Sequence, residues 1–144
     1  LVLLIGQLGG LRGRPAAELG LRDGRLAPVP EERWNAVSSQ AGTRYHRIEP
    51  LALPGEPATA FAGLADRLAT LPGVRIVERT PTYLRAECAT RWLGFVDDLE
   101  LALDAPARVA HVRSASRLGR KDFGVNRARV ESLRALIPSS PGAH

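Results

Sequence analysis

What most constrains this chain is a succession of four extended runs, at residues 74–79, 82–90, 95–104 and 108–117, in which β-branched and apolar residues alternate with polar ones. Short turns join them: Thr80-Pro81, Trp92 to Gly94, and Ala105 to Ala107. A parallel crossover needs about a dozen residues or more, so consecutive runs must be antiparallel neighbours. Ahead of them Phe61, Leu64, Ala65, Leu68 and Leu71 form one helical stripe that starts after Glu56-Pro57 and stops at Pro72-Gly73. A last helix is expected over residues 125–137, with Val125, Val130, Leu133, Leu136 and Ile137 on one side, Asp122 as a candidate cap and Pro138 as its stop. Helix, four strands, helix predicts an α+β domain: a four-stranded antiparallel meander with both helices on one face, a two-layer sandwich.

Residues 6–57 are interrupted by Pro15, Pro28, Pro30, Pro50, Pro54 and Pro57 and should form an irregular segment that wraps the rest. Within it, residues 15–20 suit a short helical turn and residues 45–53 a short extended piece. The expected organisation is an apolar, flexible remnant at 1–13, a single α+β domain at 14–137 and a flexible tail at 138–144. A chain of 144 residues suits one core. With 5% aromatic residues that core must be aliphatic, so an aromatic-lined cofactor pocket and a cofactor are not expected. The run Leu1 to Ile5 is far shorter than the roughly 20 residues that cross a bilayer. It lacks the flanks of a complete signal peptide and reads either as the remnant of a longer hydrophobic leader or as an apolar end that docks or frays.

Charge is unevenly spread. Residues 105–144 hold eight basic groups against two acids, a local +6, whereas residues 1–104 hold twelve arginines against thirteen acids. Cys88 is the sole cysteine, which excludes an intrachain disulfide, and His46, His111 and His144 have no metal-ligand spacing, so no metal is expected.

Two features break the simple pattern. Period two places Asp97 on the same face as Phe95, Leu99, Leu101 and Leu103, where a carboxylate needs a partner. Arg113 and Arg117, one strand on, are candidates; a β-bulge returning Asp97 and Asp98 to solvent is the competing reading. On the opposite face Arg85, Glu87, Asp98, Glu100, His111 and Arg113 read as a solvated cross-strand lattice. The second feature is the polar stretch from Arg113 through Ser114, Ser116, Arg117, Asp122, Asn126 and Arg127 to Arg129, which joins the last strand to the last helix. Helix amides, hydroxyls and guanidiniums converging there would hold an anion. The competing reading is a structural turn whose polar groups satisfy the backbone and whose arginines pair with Asp97 and Asp98. Ser38 to Gln40 read as loop capping, no serine sits in a nucleophile elbow, and Cys88 reads as a small buried hydrophobe.

Taken in order, Arg14-Pro15, Leu19-Gly20, Gly24 to Leu26, Asn35 to Gln40, Ile48 with Pro50-Leu51, Tyr83 to Glu87, Gly94 to Asp98, Arg113 to Arg117 and Gly124 to Arg127 form a pattern. With these motifs the chain resembles the DUF1499 family, a domain of unknown function, over residues 14–137. The resemblance implies a bacterial or plastid protein, often with a hydrophobic or lipoprotein leader, and no agreed activity. It also implies cysteines where this chain has Val29 and Ala36, closing the loop by a disulfide that is lost here. The loop must then be held by packing, for which Trp34 is a candidate, and the envelope location such a bridge suggests is weakened though still favoured over the cytoplasm.

The first functional expectation is a non-enzymatic, envelope-associated binding or assembly module. It would receive an anionic small molecule or partner protein through Arg113, Ser114, Ser116, Arg117, Asp122, Asn126 and Arg127 with Asp97 and Asp98. The alternative is a small hydrolase or isomerase with Asp97 or Asp98 as acid or base and Arg113 or Arg117 stabilising negative charge. Nucleic acid ranks last, because the basic stretch lacks interleaved aromatics and a known motif. Membrane association is expected only through a missing or truncated N-terminal leader.

Overall fold

The computed structural model describes Gly13, Pro15, Ala16 and residues 19–90 and 94–139. All of the expected remnant at 1–13 except Gly13, residues 17–18 of the short turn at 15–20, residues 91–93 of the Trp92 turn and the end of the tail lie outside the described residues. The elements are β1 (Ala36–Ser38), β2 (Leu51–Ala52), α1 (Pro57–Ala69), β3 (Val74–Arg79), β4 (Tyr83–Ala89), β5 (Val96–Asp104), β6 (Val109–Ser116) and α2 (Val125–Leu136).

The domain is α+β, as expected, but its antiparallel sheet has six strands in place of four, in the order β1-β6-β5-β4-β3 with β2 also on β6. The two extra strands have a physical role. Left alone, β6 would expose a row of unpaired backbone groups; β1 pairs with residues 113–115 and β2 with residues 109–110, so the edge is covered. Three-residue and two-residue strands in a proline-rich segment are too short to show alternation. β2 does fall within the extended piece expected at 45–53.

Each helix is set by its ends. Glu56 caps α1 by accepting from the amides of Ala58 and Thr59 at 3.0 and 2.7 Å, and Pro57 fills the first helical position, where no donor is needed. The turn into β3 requires Gly73: its φ is 77°, and a Cβ there would lie 2.8 Å from the carbonyl oxygen of Ala89. The cap of α2 is Gly124, not Asp122, yet Asp122 supplies the acceptor, taking the amides of Gly124 at 2.9 Å and Asn126 at 3.0 Å.

Both helices bury their stripes on one face of the sheet. Phe61, Leu64 and Leu68 of α1 and Val130 and Leu133 of α2 meet Leu84, Ala86, Leu99, Leu101 and Val112, forming an aliphatic core. The other face is not the solvated lattice its charges suggested. Asp98, Glu100 and Arg113 are 3%, 0% and 4% exposed. The irregular segment lies over them, with Leu26 packed on Tyr83 and Ala102, and Val29 on Ala36, Ala41 and Ala115. Val29 and Ala36, the positions of the implied cysteine pair, thus share one small apolar cluster that holds the loop without a bond. Trp34 contributes its backbone amide to Arg120 O at 2.6 Å while its ring is half exposed.

Candidate binding site at the start of the last helix

Period two was right about Asp97: it faces the helices, and the β4-β5-β6 register runs unbroken through Asp97 and Asp98, so no bulge turns them to solvent. The sheet's register shift lies between Ile76 and Glu78. The partner of Asp97 is neither Arg113 nor Arg117. It is Arg129 of α2, at 2.6 Å. Helix packing delivers this guanidinium across some thirty residues of sequence.

Asn126 is the hub beside that pair and is fully buried. Its Nδ2 donates to Asn35 O at 3.0 Å, Ser116 Oγ at 2.8 Å and Asp122 Oδ2 at 2.7 Å. Its Oδ1 accepts from Ser114 Oγ at 2.6 Å and Arg129 Nη1 at 2.8 Å. Ser114, Ser116, Asp122 and Asn126 therefore do converge, and the group they hold is each other together with β1 and α2.

On the strap side, Arg117 makes a two-toothed contact with Asp98, both bonds at 2.8 Å, and also donates to Glu87. The Asp98 bonds raise the Arg117 pKa above its ordinary value against the opposing effect of burial. For Glu87, burial acts to raise the pKa, but donation from Arg117 and Arg75 outweighs it and the group is held below the usual range. Arg113 is less well matched. Its Nη1 is 3.7 Å from Glu100 Oε2, its Nη2 donates to Pro28 O at 3.3 Å, and its Nε and Glu100 Oε2 have no hydrogen-bond partner. Burial lowers the Arg113 pKa, with Glu100 opposing. Glu100 Oε1 is well served, accepting from Tyr83 Oη at 2.6 Å and Gly20 N at 2.8 Å. Burial, then that bond, raises the Tyr83 pKa.

Of the expected site residues, Asp122 and Arg127 line an open cleft. Together with Trp34, Ala36, Val37, Tyr45 and Gly124 they enclose about 300 Å³ at the start of α2. Arg127 is held by donating from Nη2 to Tyr45 O at 2.7 Å and Arg47 O at 3.1 Å. The Trp34 and Tyr45 rings meet edge to face with centroids 4.4 Å apart, and Tyr45 Oη donates to Trp34 O. His46, 2% exposed, braces them from below: its Nε2–H donates to Arg33 O at 2.6 Å, which leaves Nδ1 to accept from the Thr43 hydroxyl. A second cavity of about 370 Å³ lies in the strap among Arg22, Arg25, Ser38 and Gln40.

Sequence reasoning placed Arg129 in the polar stretch and Glu100 in the lattice without their partners, took Trp34 for loop packing, and missed Tyr45 and Phe123. For the aromatics the sequence held only their scarcity, seven in the chain; that Trp34, Tyr45 and Phe123 take partly or fully exposed positions is seen only in the fold. It also missed a line from Ser39 Oγ to His111 Nδ1 at 3.2 Å and from His111 Nε2 to Asp104 at 3.1 Å. Ser39 is buried, and its Oγ accepts from Val112 N at 2.9 Å, replacing a strand carbonyl in the gap between β1 and β2. Burial pushes the Cys88 thiol up to about 11, which suits a buried hydrophobe and not a nucleophile. Among the described residues no group of three or more His, Cys, Asp or Glu could hold a metal ion, and no helix is long and apolar enough to cross a membrane.

A six-stranded antiparallel sheet with helices on one face, a loop strap on the other and buried ion pairs on both defines a small α+β domain pinned by polar networks. Residues 25–137 match the model of a family described as Protein of unknown function (DUF1499), and the chain belongs to that family. Searches among curated proteins and among solved structures found no match.

Proposed function

We propose that this chain is a non-enzymatic, envelope-associated binding or assembly module that receives an anionic group or a partner at the Trp34, Tyr45 and Arg127 cleft. One observation carries the reading: in the polar region between β6 and α2, this cleft leaves space beside the Arg127 cation and two aromatic rings. Arg113, Arg117 and Arg129 answer internal carboxylates, whereas among the described residues Arg127 hydrogen-bonds to carbonyl oxygens and makes no ion pair. The first amides of α2 add partial positive charge, and two aromatic rings offer a stacking wall. Asp122 tempers the field, but its oxygens already accept from Gly124 and Asn126.

Calorimetry with inorganic phosphate and glycerol phosphate tests this. Binding should weaken in Arg127→Ala and Trp34→Ala and persist in Arg79→Ala, a distant surface control; indifference to the first two sinks the placement.

The hydrolase or isomerase alternative draws less support. Asp97 and Asp98 are locked in short ion pairs, and an acid–base group must be free to exchange its proton with a substrate. The Ser39, His111 and Asp104 line favours a hydrolase in its residue types alone; labelling of Ser39 by a fluorophosphonate, absent in Ser39→Ala, would restore that reading.

A further inference from the structure

We propose that the end of the molecule around Phe123 docks on the surface of an anionic lipid bilayer, with the Phe123 ring as the inserted side chain. The inference rests on the binding-module reading above and names the partner of that same end.

Phe123 carries two costs at once. Its side chain is 95% exposed, and its φ of 53° lies in the left-handed region that bulky residues avoid. Neither cost is returned by contacts within the fold. Gly124 follows at φ 82°, so two successive left-handed residues throw the ring outward from the turn between β6 and α2. A glycine or asparagine would relieve the backbone there, and an unrelieved outlier of this kind points to a function for the ring.

The surroundings suit an interface. Val125, Leu118, Trp34 and Tyr45 are 44%, 39%, 46% and 45% exposed, and the Trp34 and Tyr45 cleft opens at the residues that flank Phe123. Tryptophan and tyrosine have an apolar body and a polar tip, which places them at the headgroup level of a bilayer. The adjoining chain is basic: Arg33, Arg44, Arg47, Arg120 and Lys121 are all exposed. Trp34 N bonds Arg120 O, which fixes two of these segments side by side. The acids nearby are Glu31, Glu32 and Asp122, the last engaged with Gly124 and Asn126, and Glu49 and Glu131, which line a groove with Arg47 and Arg127. With Arg127 counted, six cations stand among five acids, of which Glu131 is already paired with Arg134.

Charge complementarity selects the partner. The cations come from three separate segments around a protruding ring. A fluid anionic surface meets such a pattern without shape complementarity, whereas a protein partner would need a socket matched to Phe123. Juxtamembrane cations and a shallow apolar insertion together give reversible binding.

The test is co-sedimentation of the intact chain with vesicles of phosphatidylglycerol and phosphatidylcholine in equal parts, beside vesicles of phosphatidylcholine alone. Binding is expected to the first, to weaken with added salt, and to be far weaker to the second. Phe123→Ala should lower the affinity roughly tenfold. Arg120→Ala combined with Lys121→Ala should lower it about thirtyfold, and Phe123→Trp should restore what Phe123→Ala loses. Phe123 is solvent-exposed, so an unchanged denaturation midpoint verifies that each variant is folded. Absence of binding to the anionic vesicles overturns the proposal, as does binding indifferent to Phe123→Ala. So does a dimer, seen by sedimentation, that Phe123→Ala dissolves, or an acidic peptide that competes for the ring while vesicles do not. Glycerol phosphate bound at the cleft without vesicle binding overturns the bilayer and leaves the module; loss of both removes both.

Discussion

Arg113 and Arg117 lie a few residues before Arg120 and Lys121 in a single basic stretch, yet the two pairs end in opposite environments. The first pair is sealed under the irregular strap, where an unmatched charge costs several kcal/mol, and carboxylates from β4 and β5 or a carbonyl from the strap meet it. The second pair is exposed beside a ring that touches little of its own protein. Local charge density therefore says nothing by itself about a ligand. What matters is whether the fold supplies the answering group.

The sealed pair is itself unequal. Arg117 has two bonds at 2.8 Å to Asp98 and a further contact with Glu87, whereas Arg113 stands 3.7 Å from Glu100 with a donor unused. Arg117→Ala should have the largest effect, about 3–5 kcal/mol of lost stability by urea denaturation, because it strands the buried Asp98 carboxylate. A loss below about 1 kcal/mol would mean that water reaches Asp98 and the strap is not a seal.

The Arg113 and Glu100 pair offers a sharper contrast. Arg113→Ala alone should cost about 3 kcal/mol, but Arg113→Met with Glu100→Leu should recover most of it, since an imperfect buried ion pair is readily replaced by apolar volume. The same exchange at Arg117 and Asp98 should fail to recover, because Glu87 would lose a donor. Equal recovery at both sites would erase the distinction between them.

Acid should act through Glu87. Its folded pKa is below the ordinary 4.5, so its contribution is present above that value and is lost as pH falls from about 4.5 through the folded pKa. Unfolding midpoints measured down that range should drop, and the drop attributable to Glu87 should shrink in Arg117→Ala. A slope unchanged by Arg117→Ala would assign the acid sensitivity elsewhere.

The smallest effect on stability belongs to the exposed end. Phe123→Gly should leave the midpoint unchanged or slightly raised, because about 1 kcal/mol released from the left-handed backbone offsets a similar entropy cost of glycine. A marked loss would show that the ring packs in solution and would remove the contrast with the sealed arginines.

Much of the frame was readable in advance. The stripe at Phe61, Leu64 and Leu68 and the alternation through Leu99 and Leu101 announce their elements, because local periodicity is what amphipathic burial imposes. The side of the sheet that Asp97 faces followed from the same rule. Its partner Arg129 did not, since i and i+32 meet only when α2 packs on β6 and reaches Asp97 of β5. The polar face of Glu87, Asp98, Glu100 and Arg113 misled for a related reason: a charged face reads alike whether water or a strap covers it. In the site, Asp122 and Arg127 fell within the expected stretch, while Trp34 and Tyr45 came from a loop some eighty residues away.

The order of residues thus determined the helices, the antiparallel neighbours, the inward acid and the placement of basic charge toward the C-terminal end. Only tertiary structure decided which charges are neutralised and which are presented, and that two short strands and a loop close what the meander leaves open. Periodicity records how each segment divides its residues between two sides; which object occupies either side is a contact between distant segments, and no local pattern encodes it.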